Sequence, residues 1–241
     1  MLGKIYSKLI VRYGDKRAPL AGPLAEKGYL IISDYFNEED QKQFGEISNV
    51  LESGEESVDI LNRFPFLSKP VKDERIVSII RKYLGDHAVL DFASAKRFWT
   101  TGPKSDNWHH DSVGHRIKIF MCLTDQDDTT HTQIIPKSNL IRYNDYQNTR
   151  LDSEKISKNH DIIKLIGKKN DLIIFDTNGM HTGVYSEKPR DLVQYEFSDI
   201  RKSMLRGHVG PRRSSFDNSI TQSPLIAKHK LRSKGETFFY E

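Results

Sequence analysis

The spacing of apolar residues changes about one third of the way along the 241-residue chain. Before that point it is helical. The segment DERIVSIIRKYLG, residues 73–85, has apolar residues at 76, 77, 79, 80 and 84, and Gly85 follows where a helix C-cap belongs. Upstream, a short strand is predicted at 28–32. Asn37 then precedes three acidic residues, which predicts the N-terminus of another helix.

Beyond residue 86 the apolar residues lie in short segments that are rich in β-branched and aromatic side chains. Clusters of Gly, Pro, Asn and Asp separate these segments. They are HAVLDFASAKRFWTT, HRIKIFMCLTD, TQIIPKS, DIIKLIG, DLIIFDT and RDLVQYEFSD. Many short strands after a helical N-terminal third predict a mainly β fold with flanking α-helices. The class is a β-sandwich or small barrel, to which jelly rolls and cupins belong.

Length and composition fit one globular domain, with 37% hydrophobic and 29% charged residues. We predict a single domain over 1–241, in which a helical or mixed part (1–86) packs on a β core (87–200) that a basic segment (201–241) follows. No apolar run approaches the roughly eighteen residues of a membrane span. The N-terminus lacks the apolar core of a signal peptide, which favours a cytoplasmic location. The single cysteine excludes an internal disulfide.

The net charge of +4 is unevenly distributed, because residues 201–234 carry nine Lys or Arg and one acid. This stretch is either a solvated tail or a surface that attracts an anionic substrate, a nucleotide or an acidic partner. A nucleic-acid partner is not favoured, because aromatic residues do not alternate with these charges as a single-strand platform requires.

A compact group of polar residues stands at NWHHDSVG, residues 107–114. Side chains two positions apart on a strand face the same way. His109 and Asp111 therefore project together, whereas His110 points away. The two residues are either polar members of a surface turn or two ligands of a metal.

A third ligand is available in NDLIIFDTNGMHTG, where a buried strand (172–175) and a turn lead to His181. Two histidines and one carboxylate bind one face of an octahedron and leave three positions open, as in non-haem Fe(II) oxygenases. Structural zinc would use four ligands and usually cysteine. The alternative for His181 alone is a hydrogen-bonded loop histidine.

Arg190 opens the next strand, nine residues after His181. Its planar fork of donors is a natural partner for a carboxylate. If the co-substrate is 2-oxoglutarate, one end would chelate iron, the far carboxylate would need such a partner, and the last open position would admit O₂. The alternative for Arg190 is a surface salt bridge.

Taken together, these segments resemble the phytanoyl-CoA dioxygenase family of Fe(II)/2-oxoglutarate-dependent oxygenases. The matching stretches are WHHDSVGHRIKIFMCLTDQDD, QIIPKS, DLIIFDTNGMHTG and KPR, with GYLIISDYFNEED nearer the N-terminus. The resemblance implies a double-stranded β-helix (jelly-roll) core and the use of Fe(II), 2-oxoglutarate and O₂. It also implies His109, Asp111 and His181 as the catalytic iron ligands, and Arg190 as the anchor of 2-oxoglutarate.

The function that this resemblance implies is a dioxygenase that hydroxylates a small molecule and releases succinate and CO₂. Related halogenases have Ala or Gly in place of the carboxylate. The intact Asp111 therefore favours hydroxylation, or another oxidation without halide transfer. Two alternatives stay open: a cupin-like zinc or manganese isomerase or hydrolase with the same ligands, and a catalytically silent binding module. The basic C-terminal segment favours an anionic substrate.

Six further side chains are candidates for contacts in the site. Those proposed to contact 2-oxoglutarate or an anionic substrate are Lys118, Arg97 and Lys96; those proposed to contact the substrate are Trp108, His110 and His131. Each has an ordinary alternative. A strand Lys or Arg is commonly solvated, a Trp commonly packs in the core, and a loop His is commonly exposed.

Overall fold

The computed structural model describes residues 18–52, 60–98, 107–111, 114–141, 158–199, 223–226, 230–232 and 238–240. Most of the basic segment 201–241 falls outside these ranges. Within them, no helix is long and apolar enough to cross a membrane.

Helices dominate the described chain up to residue 84. They are α1 (Pro23–Lys27), α2 (Glu38–Lys42), α3 (Phe44–Glu52), α4 (Ile60–Arg63), α5 (Lys69–Lys72) and α6 (Glu74–Leu84), with a 3₁₀ turn at Pro65–Ser68. The α6 prediction is confirmed. The Asp73 side chain caps α6 by accepting from the backbone N–H of Arg75 at 2.8 Å, and Gly85 ends it at a φ of 92°. The predicted Asn37 cap also begins α2, where it accepts from the N–H of Asp40 at 2.8 Å.

Each of the six strand-like segments contains a strand. The strands are β1 (Tyr29–Ile32), β2 (Ala88–Phe98), β3 (Ile117–Cys122), β4 (His131–Ile134), β5 (Ile163–Leu165), β6 (Leu172–Asp176), β7 (His181–Val184), β8 (Arg190–Asp199), β9 (Lys230–Arg232) and β10 (Phe238–Tyr240). A 3₁₀ turn at Ser138–Leu140 follows β4.

Two antiparallel sheets form the core. The large sheet has the order β1-β6-β3-β8-β2 and the small sheet has the order β5-β4-β7, while β9 and β10 form a separate pair. From β5 to β8, consecutive strands alternate between the small and the large sheet, as in a jelly roll. The predicted mainly β class with flanking helices is thereby confirmed.

The large sheet has two faces with different neighbours. On its outer face, side chains such as Ile119, Met121 and Tyr195 share one buried core with the helices. On its inner face, Phe120, Phe175 and others pack against Ile134 and Leu165 of the small sheet. The strands therefore alternate between a helix-covered outer face and an inner face that looks into the space between the sheets.

Candidate active site

His109 and His181 form a cross-strand pair. The backbone N–H of His109 donates to the carbonyl of His181 at 3.0 Å, and the N–H of His181 donates to the carbonyl of His109 at 2.9 Å. Residues paired directly across an antiparallel ladder point to the same face, and the two ring centroids are 4.4 Å apart. The segment 107–111 therefore lies along the start of β7 and brings two distant histidines together.

The backbone also orients both rings. Nδ1 of His109 lies 2.7 Å from the carbonyl oxygen of Asn107, and Nδ1 of His181 lies 2.9 Å from that of Gly179. A carbonyl oxygen can only accept, so each Nδ1 carries a hydrogen, and Nε2 is the nitrogen left to bind a metal. This is the arrangement of a metal-ligating histidine whose second nitrogen is held by a neighbour.

Asp111 completes the donor set. Its Oδ1 lies 3.4 Å from Nε2 of His109 and 3.6 Å from Nε2 of His181, and the three donor atoms lie within 4.8 Å of one another. Donors on one face of an octahedron are about 3 Å apart when the metal bonds are about 2.1 Å. A small inward movement would therefore close this set on an ion. The Asp111 side chain is 22% exposed, so a ligand can reach the donors from solvent.

Asp176 holds the turn that presents His181. Its side chain is fully buried. Four groups donate to its carboxylate: the backbone N–H of Arg116 (3.0 Å), the backbone N–H of Asn178 (2.8 Å), the hydroxyl of Tyr83 (2.8 Å) and Nδ1 of His115 (2.6 Å). These bonds tie α6, the start of β3 and the β6–β7 turn together, so protein contacts alone position the segments that carry the donors.

Arg190, the first residue of β8, is only 2% exposed. Its Nη1 donates to Oγ1 of Thr132 at 3.2 Å, and its guanidinium lies 5.2 Å from the ring centroid of Phe98 and 5.5 Å from that of Tyr185. Its Nε has no hydrogen-bond partner among the residues that the structure describes. In the described part of the chain no carboxylate forms an ion pair with it, and burial lowers its pKa. A buried cation in these surroundings is poorly compensated and is suited to receive a carboxylate from a ligand.

A chain of charged side chains extends from the donor set along the inner face. Lys118 lies opposite Glu196 across β3 and β8. Its Nζ is 2.6 Å from Oδ2 of Asp111 and 3.5 Å from Oε1 of Glu196. Arg116 donates to Glu196 at 2.9 Å and lies 3.7 Å from Asp91, which stands at a β-bulge in β2. Three carboxylates, Asp111 included, against two cations leave this chain of side chains with one net negative charge.

The charges in this chain stabilise one another. Burial opposes ionisation of Asp111, but the Lys118 ammonium outweighs burial and holds the pKa of the carboxyl well below its usual value. Burial also opposes the charge on Lys118, yet Asp111 and Glu196 raise the pKa of the ammonium above its usual value. Both groups are therefore charged at neutral pH.

The other two basic candidates lie on different faces of β2. The Arg97 guanidinium makes two hydrogen bonds to Asp191, at 2.6 and 2.7 Å. Arg97 and Asp191 are each one residue away from Phe98 and Arg190, which are paired and face inward. Since successive side chains on a strand point to opposite faces, Arg97 lies on the outer face. This position contradicts the predicted contact of Arg97 with a co-substrate, because its guanidinium is already paired on the other side of the sheet. Lys96 lies on the inner face, and its binding role stays a prediction.

The three substrate candidates are all buried. Trp108 packs with Met180 in a small separate cluster, as expected of a core residue. His110 is 3% exposed and does not belong to the converging donor set. His131 is not on an exposed loop: it is the first residue of β4, is 1% exposed, and its Nδ1 lies 2.9 Å from the carbonyl of Asp127. Substrate contacts by these side chains stay predictions.

Sequence reasoning missed several contacts in the site. It did not predict the contact between the Lys118 ammonium and Asp111, and the predicted contact of Lys118 with 2-oxoglutarate or an anionic substrate stays a prediction. A lysine inside the apolar strand IKIFMC was a signal of a buried charge, because such a residue needs a partner. Thr132 and Tyr185 beside Arg190 carried no such signal, since their contacts depend on how the two sheets face each other.

Comparisons with known proteins identify structures of similar fold. No family model matches the sequence, and no curated protein matches it. Solved structures do match. The non-heme alpha-ketoglutarate-dependent epimerase SnoN from nogalamycin biosynthesis is 12% identical, with a TM-score of 0.59 over 80% of this chain and 84% of that one. EctD from S. alaskensis, determined with bound Fe, is 17% identical, with a TM-score of 0.59 over 77% and 79%.

A third similar structure is HygX from Streptomyces hygroscopicus, determined with nickel and 2-oxoglutarate bound. It is 13% identical, with a TM-score of 0.59 over 79% of this chain and 86% of that one. At these identities the likeness establishes the fold, and the expected jelly-roll core is confirmed. The narrower resemblance to the phytanoyl-CoA dioxygenase family stays a prediction.

Proposed function

We propose that this protein is an Fe(II)- and 2-oxoglutarate-dependent dioxygenase that hydroxylates a small-molecule substrate. His109, Asp111 and His181 would hold the iron. Arg190 would bind the far carboxylate of 2-oxoglutarate. The observation that carries the proposal is that three donors from two separate segments converge, with both imidazole rings oriented by a backbone carbonyl at Nδ1.

The donor types fit iron in an open site. Two nitrogens and one oxygen leave three octahedral positions for other ligands, which is the pattern of non-haem Fe(II) oxygenases. The net negative charge of the inner-face chain favours a dication beside Asp111. The Nδ1 hydrogen bonds keep the rings in place before any ion arrives, which reduces the reorganisation that binding requires.

Arg190 separates this proposal from other metalloenzymes with the same ligands. A zinc or manganese isomerase needs no second carboxylate site, so it gives no reason to bury a guanidinium with a free Nε. The fork formed by Arg190 and the Thr132 hydroxyl offers several donors to one carboxylate. The adjacent rings of Phe98 and Tyr185 lie against the guanidinium and limit its contact with water, which strengthens the charge-assisted hydrogen bonds.

Bound Fe(II) would supply the oxidising chemistry, in which O₂ and 2-oxoglutarate are consumed and succinate and CO₂ are released. The residues of the chain bind and orient. Asp111 and the two imidazoles fix which positions stay open, Arg190 sets the direction of the co-substrate, and the aromatic side chains beside Arg190 limit the access of water to it. Hydroxylation is the outcome that we propose, because the carboxylate that related halogenases lack is present as Asp111. We propose an anionic substrate on the basis of the basic C-terminal segment.

The first test needs no substrate. Purified protein is mixed with Fe(II) and 2-oxoglutarate under argon, and a visible charge-transfer band is expected. Asp111→Ala and His181→Ala should show no band at the same concentrations, because each removes one of only three protein ligands. The matched control is His160→Ala, which removes an exposed histidine and should leave the band unchanged. Absence of a band in the parent, or a band in the two site variants, would contradict the proposal.

The second test identifies the substrate. Succinate release is measured in air over pools of small metabolites, with anionic compounds in separate pools. A pool that stimulates succinate release in the parent, but not in His181→Ala, contains the substrate. Turnover of any pool without O₂ or without 2-oxoglutarate would instead favour an isomerase or hydrolase.

A further inference from the structure

We infer that Lys118 is a positioning residue that makes Asp111 a one-oxygen ligand, so that enough metal positions stay open for a two-point co-substrate. This inference rests on the proposed function, because it concerns how the metal site accepts 2-oxoglutarate. It assigns Lys118 a role different from the one that strand position alone predicted, namely direct contact with the co-substrate.

The two oxygens of Asp111 have different surroundings. Oδ1 faces both imidazole Nε2 atoms, at 3.4 and 3.6 Å. Oδ2 receives the Lys118 ammonium at 2.6 Å, a short charge-assisted hydrogen bond. A carboxylate can bind a metal through one or both oxygens. With Oδ2 held by Lys118, only Oδ1 is free to bind.

Lys118 is itself held in place. It leaves the middle of β3 directly opposite Glu196 on β8, and its Nζ lies 3.5 Å from Glu196 Oε1. Glu196 also receives hydrogen bonds from Arg116 at 2.9 Å and from Gln194 at 2.6 Å. Because two further donors fix the glutamate, the ammonium has a rigid counter-charge behind it and a single direction in which to reach Asp111.

The denticity of Asp111 decides how many ligands the metal can still take. Two imidazoles and a one-oxygen carboxylate leave three of six positions, enough for a bidentate co-substrate and one further ligand. A two-oxygen carboxylate would leave two positions, and the co-substrate alone would fill them. Lys118 therefore determines how many further ligands the metal can take, in addition to affecting how tightly the protein binds the ion.

Charge and position predict different results for the loss of Lys118. By Coulomb's law alone, removing this cation should tighten metal binding and weaken the binding of anionic 2-oxoglutarate equally in Lys118→Met and Lys118→Gln, with one Asp111 oxygen still on the metal. A positioning role predicts instead that Oδ2 turns towards the metal and competes with 2-oxoglutarate. Binding of 2-oxoglutarate should then weaken about 10-fold, as is typical when a partner of a ligand is lost.

The experiment compares Lys118→Met and Lys118→Gln in the full chain loaded with Co(II). Co(II) affinity and 2-oxoglutarate affinity are measured separately by titration, and a crystal structure of each Co(II) form shows how many Asp111 oxygens bind. We expect one oxygen in the parent and two in Lys118→Met. Gln retains an N–H donor without the charge, so 2-oxoglutarate should bind to Lys118→Gln more nearly as to the parent. The control is Lys164→Met, which breaks an exposed pair with Asp128 of similar length, 2.7 Å.

The outcomes separate the two proposals. If the parent binds Co(II) and 2-oxoglutarate, and Lys118→Met binds 2-oxoglutarate equally well with one Asp111 oxygen on the metal, the role of Lys118 is wrong and the metal site stands. If the parent binds no Co(II), the proposed function and this inference both fail. If Lys118→Met does not fold, the Co(II) form of the parent decides: a Lys118 ammonium on Oδ2 with one Asp111 oxygen on the metal supports the inference, and a Lys118 that lies away from Oδ2, or two Asp111 oxygens on the metal, overturns it.

Discussion

The two faces of the large sheet carry different kinds of side chain. The outer face is apolar, and the polar groups on it are paired: the Tyr195 hydroxyl donates to the carbonyl of Leu67 at 2.8 Å, and Arg97 is paired with Asp191. The inner face carries Lys118 and Glu196 in the same two central strands. It also carries Arg190, whose Nε lacks a partner in the described part of the chain.

Solvent exposure does not explain this difference between the faces, because both faces are buried. We attribute the difference to function. A core that only stabilises a fold avoids charges, since each charge must be desolvated. The inner face accepts that cost beside the donor set. Buried charges beside the donor set, which a purely structural core avoids, therefore mark the candidate site. Substitutions on the two faces should separate effects on function from effects on stability.

The largest contrast is expected from Arg190→Met. Loss of the guanidinium should weaken 2-oxoglutarate binding to the Fe(II) protein by about 100-fold or more, as for other buried charge pairs. The unfolding temperature of the metal-free protein should not fall, because an apolar side chain replaces a buried cation that no carboxylate of the described chain compensates. Anaerobic titration of the visible band and thermal unfolding measure the two effects.

Arg97→Met is the matched control on the outer face. It leaves the buried Asp191 without its partner and should lower the free energy of unfolding by about 3 kcal/mol. Its 2-oxoglutarate affinity should equal that of the parent. A loss of 2-oxoglutarate affinity in Arg97→Met, or a parental affinity in Arg190→Met, would reverse the assignment of function to the inner face.

Met121→Ala tests how much packing on the outer face contributes to the free energy of unfolding. Met121 is fully buried, so the truncation should lower the free energy of unfolding by about 2–5 kcal/mol. The visible band per folded molecule should not change. Ile119→Val, two positions along on the same face, removes one methylene and should cost about 0.5–1.5 kcal/mol. Denaturant unfolding checks both values, and a similar loss in the two variants would show that the face is not closely packed.

Much of the architecture was predictable because it depends on local patterns. The apolar spacing in 73–85 and the capping residues Asn37 and Gly85 specify helices within a few residues. The short β-branched segments specify strands in the same way. The spacing of His109 and Asp111 likewise places both on one side of a strand. These features need only neighbours in the sequence.

The contacts that the sequence did not predict are all between distant segments. Lys118 and Glu196 meet only because β3 and β8 are neighbours in this register, and a shift of one residue would separate them. Arg97 and Arg190 read alike as strand cations. Their different roles follow from the face of the sheet to which each side chain points. Which face is the outer one depends on where the helices pack, and the strand sequences do not show this.

The smallest predicted effect compares two tyrosines. Tyr195→Phe removes a buried hydroxyl from the outer face and leaves the Leu67 carbonyl without its donor. It should cost about 1 kcal/mol, or roughly 2–4 °C in unfolding temperature, without changing 2-oxoglutarate affinity. Tyr185, whose ring folds back over Gly183 beside Arg190, should show the reverse in Tyr185→Phe, with 2-oxoglutarate affinity changed more than stability. Because each variant removes a single oxygen, equal effects on both properties would mean that the two faces are not functionally distinct at this level.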